Sequence, residues 1–174
     1  MLRTPAAKPG FYFVMTNEKE HRKFMQMAIR LSEQNVEKAL GGPFGAVVVR
    51  DGKVIARSAN KVTTSNDPTA HAEVSAIRIA CRKLNTFDLS GCVIYTSCEP
   101  CPMCLGAIYW SRIGTIYYAN TKSDAARIGF DDQFIYEELA RPMEGRKVPI
   151  IQLMRTEAQG AFSQWEHSSR KVEY

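Results

Sequence analysis

The chain has 174 residues, of which 45% are hydrophobic and 24% charged, enough for one domain with a full core. No apolar run approaches the ~18 residues needed to cross a bilayer, and the N-terminus has no secretory apolar region with a small-residue cleavage site, so a membrane role is not expected. The formal charge of +5 sits at the ends: residues 1–40 carry seven basic and four acidic side chains, 41–140 ten of each, and 141–174 six and four. A neutral central block argues against a surface that tracks phosphates, so nucleic acid is not the expected partner.

Residues 1–17 contain Arg3 and Lys8 and no acid, and read as an N-terminal extension to a domain spanning 18–174. Glu18 to Leu40 is patterned as an amphipathic helix with Phe24, Met27, Ala28 and Leu31 on one face, stopped by Gly41-Gly42-Pro43. Phe44 to Arg50 is an apolar strand, Asp51-Gly52 a two-residue hairpin signal, and Lys53 to Ala59 the antiparallel return. A polar loop over 60–67 leads to Asp67-Pro68, read as an N-cap and first helical position, and a helix from about Thr69 to Leu84. Cys92 to Thr96 reads as a short buried strand, Pro100 to Trp110 as a helix, and Thr115 to Ala119 as a further strand. Helical pieces are expected over Ser123 to Ile128 and Gln133 to Arg141, around Gly129-Phe130-Asp131-Asp132. Val148 to Met154 reads as a last strand and Phe162 to Lys171 as a last helix.

This alternation implies an α/β fold: a three-layer α/β/α sandwich around a central sheet of about five strands. The hairpin makes that sheet mixed.

The chemistry is concentrated in His71-Ala72-Glu73 and Pro100-Cys101-Pro102-Met103-Cys104. Cys101 and Cys104, three apart at a helix start, share a face and can grip one ion. Their two thiolate charges offset a dication, and neutral His71 completes three protein ligands. Three ligands plus one open position is the pattern of a catalytic zinc, one Zn2+ per chain, with water or hydroxide in the fourth place. Glu73 is read as the proton shuttle, the catalytic acid/base, rather than a ligand. Two residues along a regular helix point apart, so His71 is expected to enter from an irregular first turn. Five cysteines, three of them within seven residues, argue for metal binding in a reducing, cytoplasmic compartment rather than a disulfide framework.

Other readings of the same residues exist. Cys98, spaced three before Cys101, could be the fourth ligand of a structural zinc knuckle. The run also opens like an iron–sulfur site, but the position four after Cys104 is Ile108. Otherwise Cys81, Cys92 and Cys98 are core cysteines, and His21 and His167 solvated surface residues. Phe44 and Trp110 read more often as core than as pocket aromatics, Asn60 as a turn residue, and Asp131-Asp132 as a solvated loop or helix cap.

The histidine and cysteine motifs resemble those of the cytidine deaminase-like zinc deaminases. Further segments narrow the likeness to the bacterial guanine deaminases: Gly41 to Ala46, Thr64 to Val74, Tyr95 to Cys101, Gly106 to Trp110, Gly129 to Asp132 with Phe134-Ile135-Tyr136, and a terminal Tyr174. The resemblance implies hydrolysis of guanine to xanthine and ammonia, with Asn60 and Asp132 hydrogen-bonding the purine base and Phe44 and Trp110 packing around it. It also implies a homodimer in which the C-terminal segment, about 155–174, is exchanged, so that Tyr174 closes the partner's site. The rival within the same chemistry is a tRNA adenosine deaminase, which needs a basic groove and a pocket for a flipped adenine. A deaminase of another small base, nucleoside or aminotriazine is the next alternative.

Overall fold

The computed structural model of the protein describes residues 18–130 and 132–174. The expected N-terminal extension and Asp131 lie outside the described residues.

Helix α1 (Glu18–Glu37) turns Phe24, Ala28, Ser32 and Asn35 inward. It ends before the glycines, because Ala39 takes a left-handed φ of 50°. The amide of Ala39 bonds to Val36 O and that of Leu40 to Asn35 O, the paired closure of a Schellman motif. This reversal carries Gly41 and Gly42 back toward the helix end.

Strands β1 (Gly45–Arg50) and β2 (Lys53–Ala59) form the expected hairpin. Asp51 and Gly52, with φ of 50° and 70°, supply the two positive-φ positions that its tight turn requires. The register slips between Val48 and Val49, so Ile55 bulges out of β2. Strand β3 (Cys92–Cys98) pairs antiparallel with β1, and β4 (Thr115–Asn120) pairs parallel with β3. The sheet is therefore mixed, in the order β2-β1-β3-β4.

Side chains alternate cleanly across this sheet. Val47, Val49 and Tyr95 face α1 with Phe24 and Ala28. Ala46, Val48 and Ile94 face the opposite layer, where Ala72, Ala76, Ile77 and Ala80 of α3 (Ala72–Leu84) and Ile108 of α4 (Pro102–Trp110) complete a second core. A strand buried on both faces reads as a continuous apolar run, which is why Ala46 to Val49 shows no alternation in sequence.

Several elements differ from expectation. The sheet has four strands, not about five: residues 148–154 form no strand among the described residues, and Ile151 and Leu153 are more than 80% exposed. Apolar, β-prone composition makes a strand only when an edge pairs with its backbone, and this segment has no such partner among the described residues. A short helix α2 (Val62–Ser65) occupies the expected polar loop. Asp67 makes a local turn, its Oδ1 accepting from the amide and hydroxyl of Thr69, and the next helix starts only after His71. Beyond β4 lie α5 (Lys122–Arg127), closed by a Thr121/Asp124 capping box, and α6 (Gln133–Ala140). The last helix, α7 (Arg155–His167), begins seven residues earlier than its pattern suggested. His21 is not a solvated residue: its Nδ1 lies 2.8 Å from Tyr95 Oη and its ring 4.5 Å from that of Tyr117. None of the described helices is long and apolar enough to cross a membrane.

Candidate active site

His71 and Cys101 are the N-cap residues of α3 and α4, both in extended conformation with ψ of 158° and 168°. Neither side chain caps its own helix, so each is free to turn toward the other. Cys104 follows in the first turn of α4, after Pro102 has set the first helical position. Two helix N-termini thus converge, and their dipoles favour anionic sulfur there.

His71 Nδ1 lies 3.6 Å from Cys101 Sγ and 3.5 Å from Cys104 Sγ. All three donor atoms fall within 4.8 Å of one another. Zinc–nitrogen and zinc–sulfur bonds at tetrahedral angles demand nitrogen–sulfur edges of about 3.6 Å. The donor set is therefore both chemically and metrically suited to zinc, with a fourth position left to the cavity.

The charges agree with that fit. Hydrogen bonds from Cys104 and then from His71 hold the Cys101 thiol down to about 4. The same sulfur–sulfur contact, with burial, pushes Cys104 up, and the bond to Cys101 raises His71. A dication bound here would take the place of the shared protons, leaving two thiolates and a neutral imidazole. Glu73, one residue into α3, is 7% exposed, and burial raises its carboxyl above the usual carboxylate range. Its Oε2 accepts from Cys104 Sγ at 3.5 Å. A carboxyl biased toward holding a proton, beside a metal site, is what acid/base work requires. Cys98 is no fourth ligand in this arrangement: its thiol donates to Thr121 O at 3.5 Å and burial pushes it up to about 11.

His71, Glu73 and Cys101 open into a cavity of about 460 Å³, within the ~300–1,000 Å³ range of small-molecule sites. Phe44, Asn60 and Asp132 line it too. Asn60 is buried, and its Oδ1 accepts from the Val62 amide at 3.1 Å. That leaves its NH2, among the described residues, as the donor available to a ligand. Asp132 contributes a carboxylate, so the cavity offers both a donor and acceptors.

Trp110 and Tyr174 are not brought to this cavity. Trp110 is 69% exposed at the end of α4, and Tyr174 lies beside it with ring centroids 6.0 Å apart. Phe130, which sequence reasoning did not single out as a site residue, does line the cavity and meets Phe44 edge-on at 4.9 Å. Its signal was its place in the Gly129-Phe130-Asp131-Asp132 run. Glu99 and Lys122, where β3 and β4 end, also line the cavity, and Glu99 accepts from the Lys122 amide at 3.1 Å.

Comparison with known proteins converges on this site. The family model for the cytidine and deoxycytidylate deaminase zinc-binding region matches residues 18–120. Guanine deaminase of Bacillus subtilis is 53% identical over 154 residues, which is 88% of this chain and 99% of that protein. Its crystal structure superposes with a TM-score of 0.86 at 52% identity, covering 88% of this chain and 98% of that one. A guanine deaminase structure from Nitrosomonas europaea gives a TM-score of 0.60 at 33% identity, over 81% of each chain. The tRNA-specific adenosine deaminase of Aquifex aeolicus is 43% identical over 55% of this chain and 63% of its own.

Proposed function

The chain belongs to the cytidine and deoxycytidylate deaminase zinc-binding family, and from that premise we propose that it catalyses hydrolytic deamination of guanine to xanthine and ammonia. The observation that carries this reading is the His71, Cys101, Cys104 and Glu73 cluster at the base of a cavity that also offers Asn60 and Asp132. It is supported by the near full-length likeness to a guanine deaminase, whereas the Aquifex tRNA deaminase matches little more than half of the chain.

His71, Cys101 and Cys104 would hold Zn2+, which when bound supplies a Lewis acid that makes water a nucleophile at neutral pH. Glu73 accepts the proton that water gives up as its oxygen bonds to C2 of the purine. It passes that proton to a ring nitrogen, then takes the second proton from the oxygen now on C2 and delivers it to the departing amine, so that the C2 carbonyl forms as the C2–N bond breaks and ammonia leaves. Asn60 donates to an acceptor on the edge of the base, and Asp132 accepts from its N–H groups. Phe44 packs against the ring.

The reading extends to a homodimer with an exchanged C-terminal segment, about 155–174. Supporting it, Ile151, Leu153, Phe162 and Tyr174 are each more than two-thirds exposed in the single chain, an apolar surface that a partner subunit would cover. Trp110, beside Tyr174, would then meet the base in the assembled site. A reducing, cytoplasmic setting suits five cysteines that are all unpaired.

Free guanine, guanosine and a tRNA anticodon stem-loop, assayed side by side for ammonia release with zinc-replete protein, test the reading. Release from guanine alone, with xanthine as product, is the expected result. Release from the stem-loop alone would overturn it in favour of the tRNA substrate.

A further inference from the structure

We propose that Asn35, on α1 and outside the cavity, is a positioning residue that sets the substrate-facing geometry of Phe44 and Asn60; the inference rests on the guanine deaminase reading above. Asn35 is 4% exposed and occupies the last inward turn of α1, after Phe24, Ala28 and Ser32. A buried amide there needs partners, because polar atoms left unpaired in the interior are destabilising. It finds them in the two segments that build one side of the cavity. Its Nδ2 donates to Gly42 O at 2.8 Å and to Asn60 O at 3.0 Å.

These two carbonyls belong to a closed set of bonds. Gly42 O also accepts from the Phe44 amide at 2.8 Å, and Phe44 O accepts from the Asn60 amide at 3.0 Å. Asn60 Oδ1 in turn takes the Val62 amide, fixing the plane of the side chain. One Asn35 amide therefore ties the loop before β1 to the end of β2, at the residues that carry the cavity's aromatic wall and its amide donor. The packing leaves no slack. A Cβ added to Gly41 would stand 2.8 Å from Asn60 O and 3.1 Å from Asn35 Nδ2. No other residue type places two donors at this reach: Asp has the same shape and none, and Ala has neither shape nor donors.

The role is one of orientation, so its loss should weaken substrate recognition more than the chemical step, which Glu73 carries from α3. Asn35→Ala and the isosteric Asn35→Asp would be assayed for guanine KM and kcat, zinc content and thermal midpoint, alone and combined with Asn60→Ala. The expected result for both variants is a folded, zinc-loaded protein with KM raised about tenfold or more and kcat within about threefold of wild type. Combined with Asn60→Ala, either change should raise KM by less than it does alone, because part of its effect passes through the Asn60 side chain. KM unchanged with a lowered midpoint, full additivity with Asn60→Ala, or failure of both variants to fold would each overturn the positioning role and make Asn35 a purely structural residue. Wild-type protein inactive on guanine would instead overturn the substrate reading, an outcome visible before any variant is made.

Discussion

At the scale of single residues, the site depends on a division of labour between neighbours in sequence. His71 is the last extended residue before α3 and Glu73 is already helical. The break between them lets two side chains that a regular helix would separate serve one centre. Glu73→Gln keeps shape and removes the proton carrier. Turnover of guanine should fall by about 10²–10⁴-fold while zinc content stays at one per chain; activity unchanged in a zinc-loaded variant would remove Glu73 from the shuttle role. Asp132→Asn exchanges an acceptor for a donor on the cavity wall, so kcat/KM for guanine should fall at least about tenfold, or ~1.4 kcal/mol. A change within about twofold would place Asp132 outside the recognition set. The motif residues were legible because metal and acid/base chemistry restricts which side chains can do the work. Asn35 and Phe130 were not, since one acts through backbone carbonyls distant in sequence and the other through a contact between loops.

At the scale of elements, close approach of α1 to the sheet is what brings Asn35 to the carbonyls of Gly42 and Asn60 behind the cavity wall. Gly45 makes that approach possible: a Cβ there would stand 2.2 Å from Ala28 O and 2.8 Å from Leu31 Cβ. Backbone at that distance cannot give way as a side chain does. Gly45→Ala should therefore cost about 3 kcal/mol or more by overpacking, a fall of several degrees at ~2–4 °C per kcal/mol for a domain of this size. A midpoint within 1–2 °C of wild type, read by differential scanning fluorimetry on the zinc-loaded protein as about 0.5 kcal/mol or less, would show that α1 rides freely on β1. The amphipathic stripe of α1, the hairpin and the Cys-x-x-Cys helix were all readable, because each is fixed by periodicity or by turn chemistry within a few residues. The helix starts at His71 and Arg155 were not. Asp67 spends its side chain on Thr69 rather than on a helix cap, and α7 begins at a left-handed Met154 that no sequence signal marks.

At the scale of the whole molecule, the described chain leaves a run of apolar side chains exposed between residues 150 and 174, among them Ile150, Phe162, Trp165 and Tyr174. The dimer reading gives those side chains a partner. Deleting Tyr174 should lower kcat/KM about tenfold with the thermal midpoint nearly unchanged, since a 68% exposed side chain contributes little to folding. Full activity after the deletion, with the protein eluting as a dimer, would show that the terminus closes no site. The sequence by itself singled out His71, Cys101 and Cys104 as a donor set with Glu73 beside it, the mixed α/β plan and the neutral charge of the central block, because each follows from local pattern or from the fixed demands of metal chemistry. Only the tertiary structure decided that the sheet has four strands, that His21 is drawn in beside Tyr95, that Trp110 and Tyr174 meet outside the cavity, and that Asn35 reaches Gly42 and Asn60. Those outcomes rest on which backbone groups find partners and which side chains find room, and both are set by segments far apart along the chain.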